Sequence, residues 1–151
     1  MRILIDGDGC PVVRETAALS REFSVPCLIF CDTSHSFSLP GVETILCDHG
    51  ADSVDYKIAN SVRPGDLIVT QDYGLAAMCL SRGARALHQD GFCYDDGNIG
   101  GLLEVRAFSG RVRRGGGRLK GPKKRTASQD AAYCAALRRI LEEDRHAAGN
   151  S

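Results

Sequence analysis

Short apolar runs alternate along this chain with longer two-sided stretches. Ile3 to Ile5 is too short for a helix but suits a strand buried on both faces. Val25 to Cys31, Val42 to Cys47 and Asp66 to Thr70 repeat that pattern, with Ala84 to Leu87 as a weaker fifth strand. Between them the period lengthens. Pro11 to Phe23 sets Val12, Val13, Thr16, Ala17 and Leu19 against Arg14, Glu15, Arg21 and Glu22, as a helix covering a sheet requires. In Ala51 to Val62, Val54, Ile58 and Val62 share one helix face behind Asp52 or Ser53 as N-cap. Tyr73 to Arg82 predicts a third helix, closed by Gly83. Strands and helices alternating in this way predict an α/β fold of three layers, a parallel sheet of about five strands with helices on both faces.

Beyond the fifth strand the pattern weakens. His88 to Asp96 reads as a loop, and Asn98 to Phe108 as a helix weakened by Gly100 and Gly101. Thr126 and Gln129 have the spacing of a capping box and open a last helix through about Asp144, leaving 145–151 as a frayed tail. With 151 residues, 43% of them hydrophobic, residues 1–144 make one domain with a real core.

The candidate chemistry lies where the strands stop. Right-handed crossovers bring the carboxyl ends of parallel strands to one edge, where open sheets bind ligands. The first strand ends in Asp6, followed by Gly7, Asp8 and Gly9, which allow a sharp turn and close approach to a ligand. Asp72 occupies the matching position after Asp66 to Thr70, whereas Asp66 lies at that strand's other end, about 20 Å away. Asp52 and Asp55 project from one face of the first turn of the second helix. Helix capping alone explains carboxylates there, and a ligand role at the same edge explains them equally well. Asp6, Asp8, Asp52, Asp55 and Asp72 then converge, at a cost that a cation relieves. Hard oxygen donors suit Mg2+ or Mn2+ binding a substrate phosphate.

Charge and cysteine content narrow the picture. The chain has 19 basic and 19 acidic residues, but Arg111 to Arg125 contains eight basic residues and no acidic one, so the remainder is acidic. Arg111, Arg113, Arg114, Arg118, Lys120, Lys123, Lys124 and Arg125 form a glycine-rich arm suited to RNA or DNA phosphates, without an aromatic residue to read bases. Seven cysteines without a C-x-x-C pair support neither a disulfide framework nor a structural zinc site. Cys10 gains from a helix N-terminus but is opposed as a nucleophile by neighbouring carboxylates. His35 reads as a solvated loop residue. No run reaches the length of a membrane span, and the N-terminus lacks a secretory leader pattern, which points to the cytoplasm.

The stretches DGDGCP, ADSVDYKI, GDLIVTQDYGLA, the Asn98 to Arg106 segment and GGGRLKGPKKRT together resemble the YaiI/YqxD family of bacterial proteins over nearly the whole chain. That family is similar in turn to PIN-like domains, metal-dependent nucleases with acidic residues at strand ends. The resemblance implies a PIN-like fold and hydrolysis of RNA phosphodiesters with Mg2+ or Mn2+. It sets Asp6 in the place of the first-strand carboxylate, Asp55 in that of the helix carboxylate and Asp72 in that of the carboxylate after the later strand. Asp8 and Asp52 are additions to that metal set. The usual PIN pattern also has a glutamate between the first two; here Glu43 lies inside a strand. Two rivals use the same residues. A metal- or RNA-binding module does so without turnover. A phosphatase resembling the haloacid dehalogenases uses Asp6 as nucleophile and Asp8 as general acid, although Gly65 and Asp66 precede their strand where that class has an acidic pair after it.

Overall fold

The computed structural model describes residues 1–32, 39–47, 51–100 and 124–149, and of 51–53 the backbone alone. His35, the helix expected beyond residue 100 and the basic arm up to Lys123 lie outside the described residues. Six strands form one sheet: β1 (Ile3–Asp6), β2 (Cys27–Asp32), β3 (Val42–Cys47), β4 (Leu67–Val69), β5 (Arg85–Leu87) and β6 (Cys93–Tyr94). Their order is β3-β2-β1-β4-β5-β6, so β1 is central, paired in parallel with both β2 and β4. The expected five parallel strands are present, and β6 adds an antiparallel edge within what the sequence reading took as a loop. Gly91 makes the reversal at φ +97°, its N–H donating to the His88 carbonyl at 2.9 Å. A two-residue strand shows no alternation, which is why the pattern did not reveal it.

Helices cover both faces. On one side α1 (Val13–Glu22) and the C-terminal helix α4 (Ala127–Gly149) pack on Ile3, Ile5, Ile29, Leu67 and Val69. On the other, α2 (Ala51–Ser61) and α3 (Tyr73–Ser81) pack on Leu4, Phe30 and Ile68. Successive residues of β1 and β4 thus feed opposite cores, as the two-residue period of a strand dictates. Both runs are apolar throughout because neither face meets water.

The helix α4 begins at the expected capping box, with the Thr126 N–H donating to Gln129 Oε1 at 2.7 Å, and continues past Asp144 to Gly149. Its Tyr133 is fully buried against α1. Thr16 donates its hydroxyl proton to the Val12 carbonyl at 2.7 Å, so Tyr133 is the donor in the 2.6 Å contact between the two hydroxyls. Tyr133→Phe removes that bond while keeping the ring, and is expected to cost about 1 kcal/mol of stability, read as a lower urea midpoint with an unchanged slope. A midpoint equal to the parent's would show that the bond contributes nothing net.

At the amino-terminal edge of the sheet, the Arg2 guanidinium donates to both oxygens of Asp66, at 3.2 and 2.7 Å, and to the Ser61 carbonyl at 2.9 Å. The Arg63 N–H adds a further bond to Asp66 at 2.9 Å. Asp66 therefore belongs to the fold and lies at the opposite end of β4 from Asp72. Among the described residues, no helix is long and apolar enough to cross a membrane.

Candidate functional site

β1 carries Asp6 to the carboxyl-terminal edge, and Gly7 turns the chain there. Its N–H donates to the Phe30 carbonyl at 2.8 Å, and an added Cβ would lie 2.8 Å from that same oxygen, so a side chain cannot be accommodated without moving backbone. This close approach of β1 to β2 sets the direction in which Asp8 leaves the strand. From β4, Thr70 donates its hydroxyl to Asp6 Oδ2 at 3.0 Å and accepts the Asp72 N–H at 3.0 Å. One threonine thereby fixes the first-strand carboxylate and the turn bearing Asp72. The Tyr94 hydroxyl, from β6, donates to the Thr70 carbonyl at 3.1 Å, so the antiparallel edge strand braces this junction.

Asp6, Asp8 and Asp72 are brought together. Burial pushes the Asp6 carboxyl up to about 6, and the negative charges of Asp8 and Asp72 push it in the same direction, against hydrogen bonds from Thr70 and the Asp8 N–H. Asp72 also caps α3, its Oδ1 accepting the Leu75 N–H at 3.1 Å. The sequence carried that cap signal, an aspartate directly before an apolar helix, and the reading used the residue only as a strand-end carboxylate. A cleft of about 10 Å3, the space of one water molecule at most, is lined by Asp6, Asp8, Cys10, Thr70, Gln71 and Gln89, with Val69 beneath.

The other expected residues take different places. Asp55 lies on α2 facing α3, lining a groove with Tyr56, Ala59, Asn60, Met78 and Arg82. The backbone of Asp52 is in the first turn of α2, and its side chain lies outside the described residues. Among the described residues, no group of three or more histidine, cysteine or acidic side chains is set to hold a metal ion. Burial raises the Cys10 thiol to about 11, and Asp6 and Glu15 add to that rise, so the thiolate is disfavoured there.

Arg125, the last basic residue of the arm, is built into the fold. It donates to Asp90 at 2.9 Å, to Asp130 at 2.6 Å and to the Gln89 carbonyl at 2.6 Å. Gln89 lines the carboxylate cleft, so Arg125 fixes one wall of it. Thr70, Gln71, Gln89 and Arg125 were thus missed as parts of this site. Only Thr70 carried a local signal, a hydroxyl two residues before a strand-end carboxylate. The contacts to residues 89 and 90 span 35 or more positions and leave no trace in local pattern.

Fold and edge together define a three-layer α/β domain with an acidic cleft at the carboxyl ends of its two central strands. The chain belongs to the YaiI/YqxD family, "Uncharacterized BCR, YaiI/YqxD family", whose profile matches residues 4–143. A UPF0178 protein of Exiguobacterium sibiricum is 48% identical over 143 residues, covering 95% of this chain and 98% of the relative. One from Clostridium acetobutylicum is 39% identical over 143 residues, covering 93% and 97%. Among solved structures, Rae1 (YacP) from Bacillus subtilis, a W164L mutant, superposes with a TM-score of 0.44 at 15% identity, covering 95% of this chain and 99% of that one.

Proposed function

We propose that this protein is a divalent-metal-dependent nuclease of PIN-like type that hydrolyses RNA phosphodiesters at the Asp6 edge. The observation that supports it most is the carboxylate cluster at that edge: Thr70 ties Asp6 to the turn bearing Asp72, and burial together with the charges of Asp8 and Asp72 raises the Asp6 carboxyl to about 6. Carboxylates placed against one another in this way gain from a cation. The donor set fits Mg2+ or Mn2+: the oxygens are hard, and Mg2+ is commonly held by one or two carboxylates, with water and substrate phosphate completing its shell. Asp6 and Asp8 would hold the ion. Bound there, it supplies positive charge to the oxygens of the phosphodiester and acidifies its water. Thr70 orients Asp6, and Asp72 is set beside it by the same hydroxyl. Asp52 and Asp55, on the first turns of α2, would act on the substrate side, and Arg111 to Lys124 would neutralise the phosphates that an acidic edge repels.

A second reading, an RNA-binding module without turnover, rests on the basic residues of 111–125 alone. Cleavage of a labelled pool of single-stranded and structured RNA with Mg2+ or Mn2+ separates the two. The nuclease reading expects metal-dependent cleavage that falls about 100-fold or more in Asp8→Asn and Asp72→Asn. RNA binding without cleavage in the parent would overturn it in favour of the module.

A further inference from the structure

The basic arm contains no aromatic residue, but α2 presents one. Tyr56 is 71% exposed, the most exposed of the large hydrophobic side chains among the described residues. It shares an outward stripe with Asn60 and, just past the helix end, Arg63, at helical spacings of four and three; Lys57 lies beside it. Two cavities flank this stripe. One, about 420 Å3, lies toward α3 and includes Tyr56, Met78 and Arg82. The other, about 380 Å3, lies toward β2 and β3, with Leu28 and Ile45 as apolar lining and Lys57 and Arg63 as cations, while Arg2 at its edge is paired with Asp66. Asn60 lines both, so they form one continuous surface around α2. Asp55, at the end nearer the helix start, is the one carboxylate among the lining residues of the two cavities.

We propose that this surface is a track for single-stranded nucleic acid, with Tyr56 as the stacking platform for a base and Lys57 and Arg63 as phosphate contacts. Single strands are held without sequence preference by a positively charged groove interleaved with aromatic faces, and the α2 surface combines both. An exposed tyrosine offers a flat face at small entropic cost, and its neighbours carry charge of the sign a phosphate backbone seeks. A duplex keeps its bases stacked on one another and cannot use the platform. The track begins at Asp55, on the first turns of α2, and would lead a strand away from the carboxyl-terminal edge of the sheet. The proposal extends the RNA reading above, yet it concerns binding alone and does not depend on cleavage.

The chain has no tryptophan, so Tyr56→Trp installs a single indole as a reporter on an exposed position. Titrating that variant with a short oligouridylate is expected to quench its fluorescence, while inorganic phosphate and a duplex of the same length leave it unchanged. In the Tyr56→Trp background, Lys57→Gln with Arg63→Gln is expected to weaken binding about tenfold and to reduce the log–log salt slope by about 1.4, two single-strand phosphates' worth. In the parent, Tyr56→Ala is expected to weaken binding about tenfold, and Tyr56→Phe to retain it. Binding of labelled RNA with no quenching would overturn the track and leave the nuclease reading standing. Quenching without metal-dependent cleavage would support the track and sink the nuclease reading. No RNA binding by the parent, or an unchanged salt slope in the double substitution, would overturn the track.

Discussion

Asp6→Asn is expected to yield a protein that is more stable at neutral pH and, on the proposed nuclease reading, lacks metal-dependent cleavage. The folded-state value of about 6 lies above the ordinary 3.8, so between those two pH values the native protein holds a proton that the unfolded chain has released. Stability then declines as pH rises through that interval and stays lower above it. A two-unit rise corresponds to about 3 kcal/mol, and partial solvent access at Asp6 reduces the expected gain for asparagine to about 1–2 kcal/mol. Asparagine can still accept from Thr70, which keeps the junction intact. Thermal unfolding should therefore show Asp6→Asn melting above the parent at pH 7.5 and level with it near pH 4. Mn2+ should raise the parent's melting temperature and leave that of the variant unmoved, and any cleavage should fall by about 1,000-fold, several kcal/mol of lost charge stabilisation. Equal Mn2+ shifts in both proteins would remove Asp6 from the site. Metal-supported activity in the parent should also fall below about pH 6, where protons compete for the same oxygens.

Asp66→Ala should have the largest effect on stability. Burial alone would raise the Asp66 carboxyl, but the paired guanidinium of Arg2 and the Arg63 N–H outweigh it and hold the group below its usual value. Its contribution is therefore complete above the ordinary aspartate range and is lost as pH falls through the depressed folded value. Removing the carboxylate leaves a partly buried guanidinium without its counter-charge, a loss that solvent screening limits to about 2 kcal/mol, or roughly 6 °C in melting temperature for a chain of this size. Arg2→Ala/Asp66→Ala should lose less than the two single substitutions summed, since neither charge is then stranded. Additive losses would show that the two groups act independently.

Much of this architecture is legible in the sequence because the central parallel strands declare themselves twice, by an unbroken apolar run and by the polar residue that ends it. Ile3 to Asp6 and Leu67 to Asp72 show this most clearly, and their pairing in one sheet brings Asp6 and Asp72 to one edge. Spacing on α2 was a weaker guide. Asp55 is one turn into the helix, where it lines a groove shared with Met78 and Arg82 of α3. Long-range polar partnerships were illegible altogether. Arg2 meets Asp66 and Thr70 meets Asp6 across 64 positions each, and neither partner differs in type from an ordinary surface residue. Arg125 belongs with them: composition assigned it to a basic arm, while three contacts fasten it to the 89–90 turn and α4.

The partnership of Tyr133 with Thr16, 117 residues apart, has a consequence for how the molecule is made. α4 covers the same core that holds Ile3 and Ile5 of β1, yet it lies far from that strand along the chain. A folding chain can pair β1 with β2 and later with β4, but on one side of that sheet α1 alone covers the core until α4 docks. The wall of the cleft fastened by Arg125 closes at the same stage. Assembly of the acidic edge is thereby coupled to the docking of α4, so a chain lacking that helix presents the carboxylates on an open, unfinished scaffold.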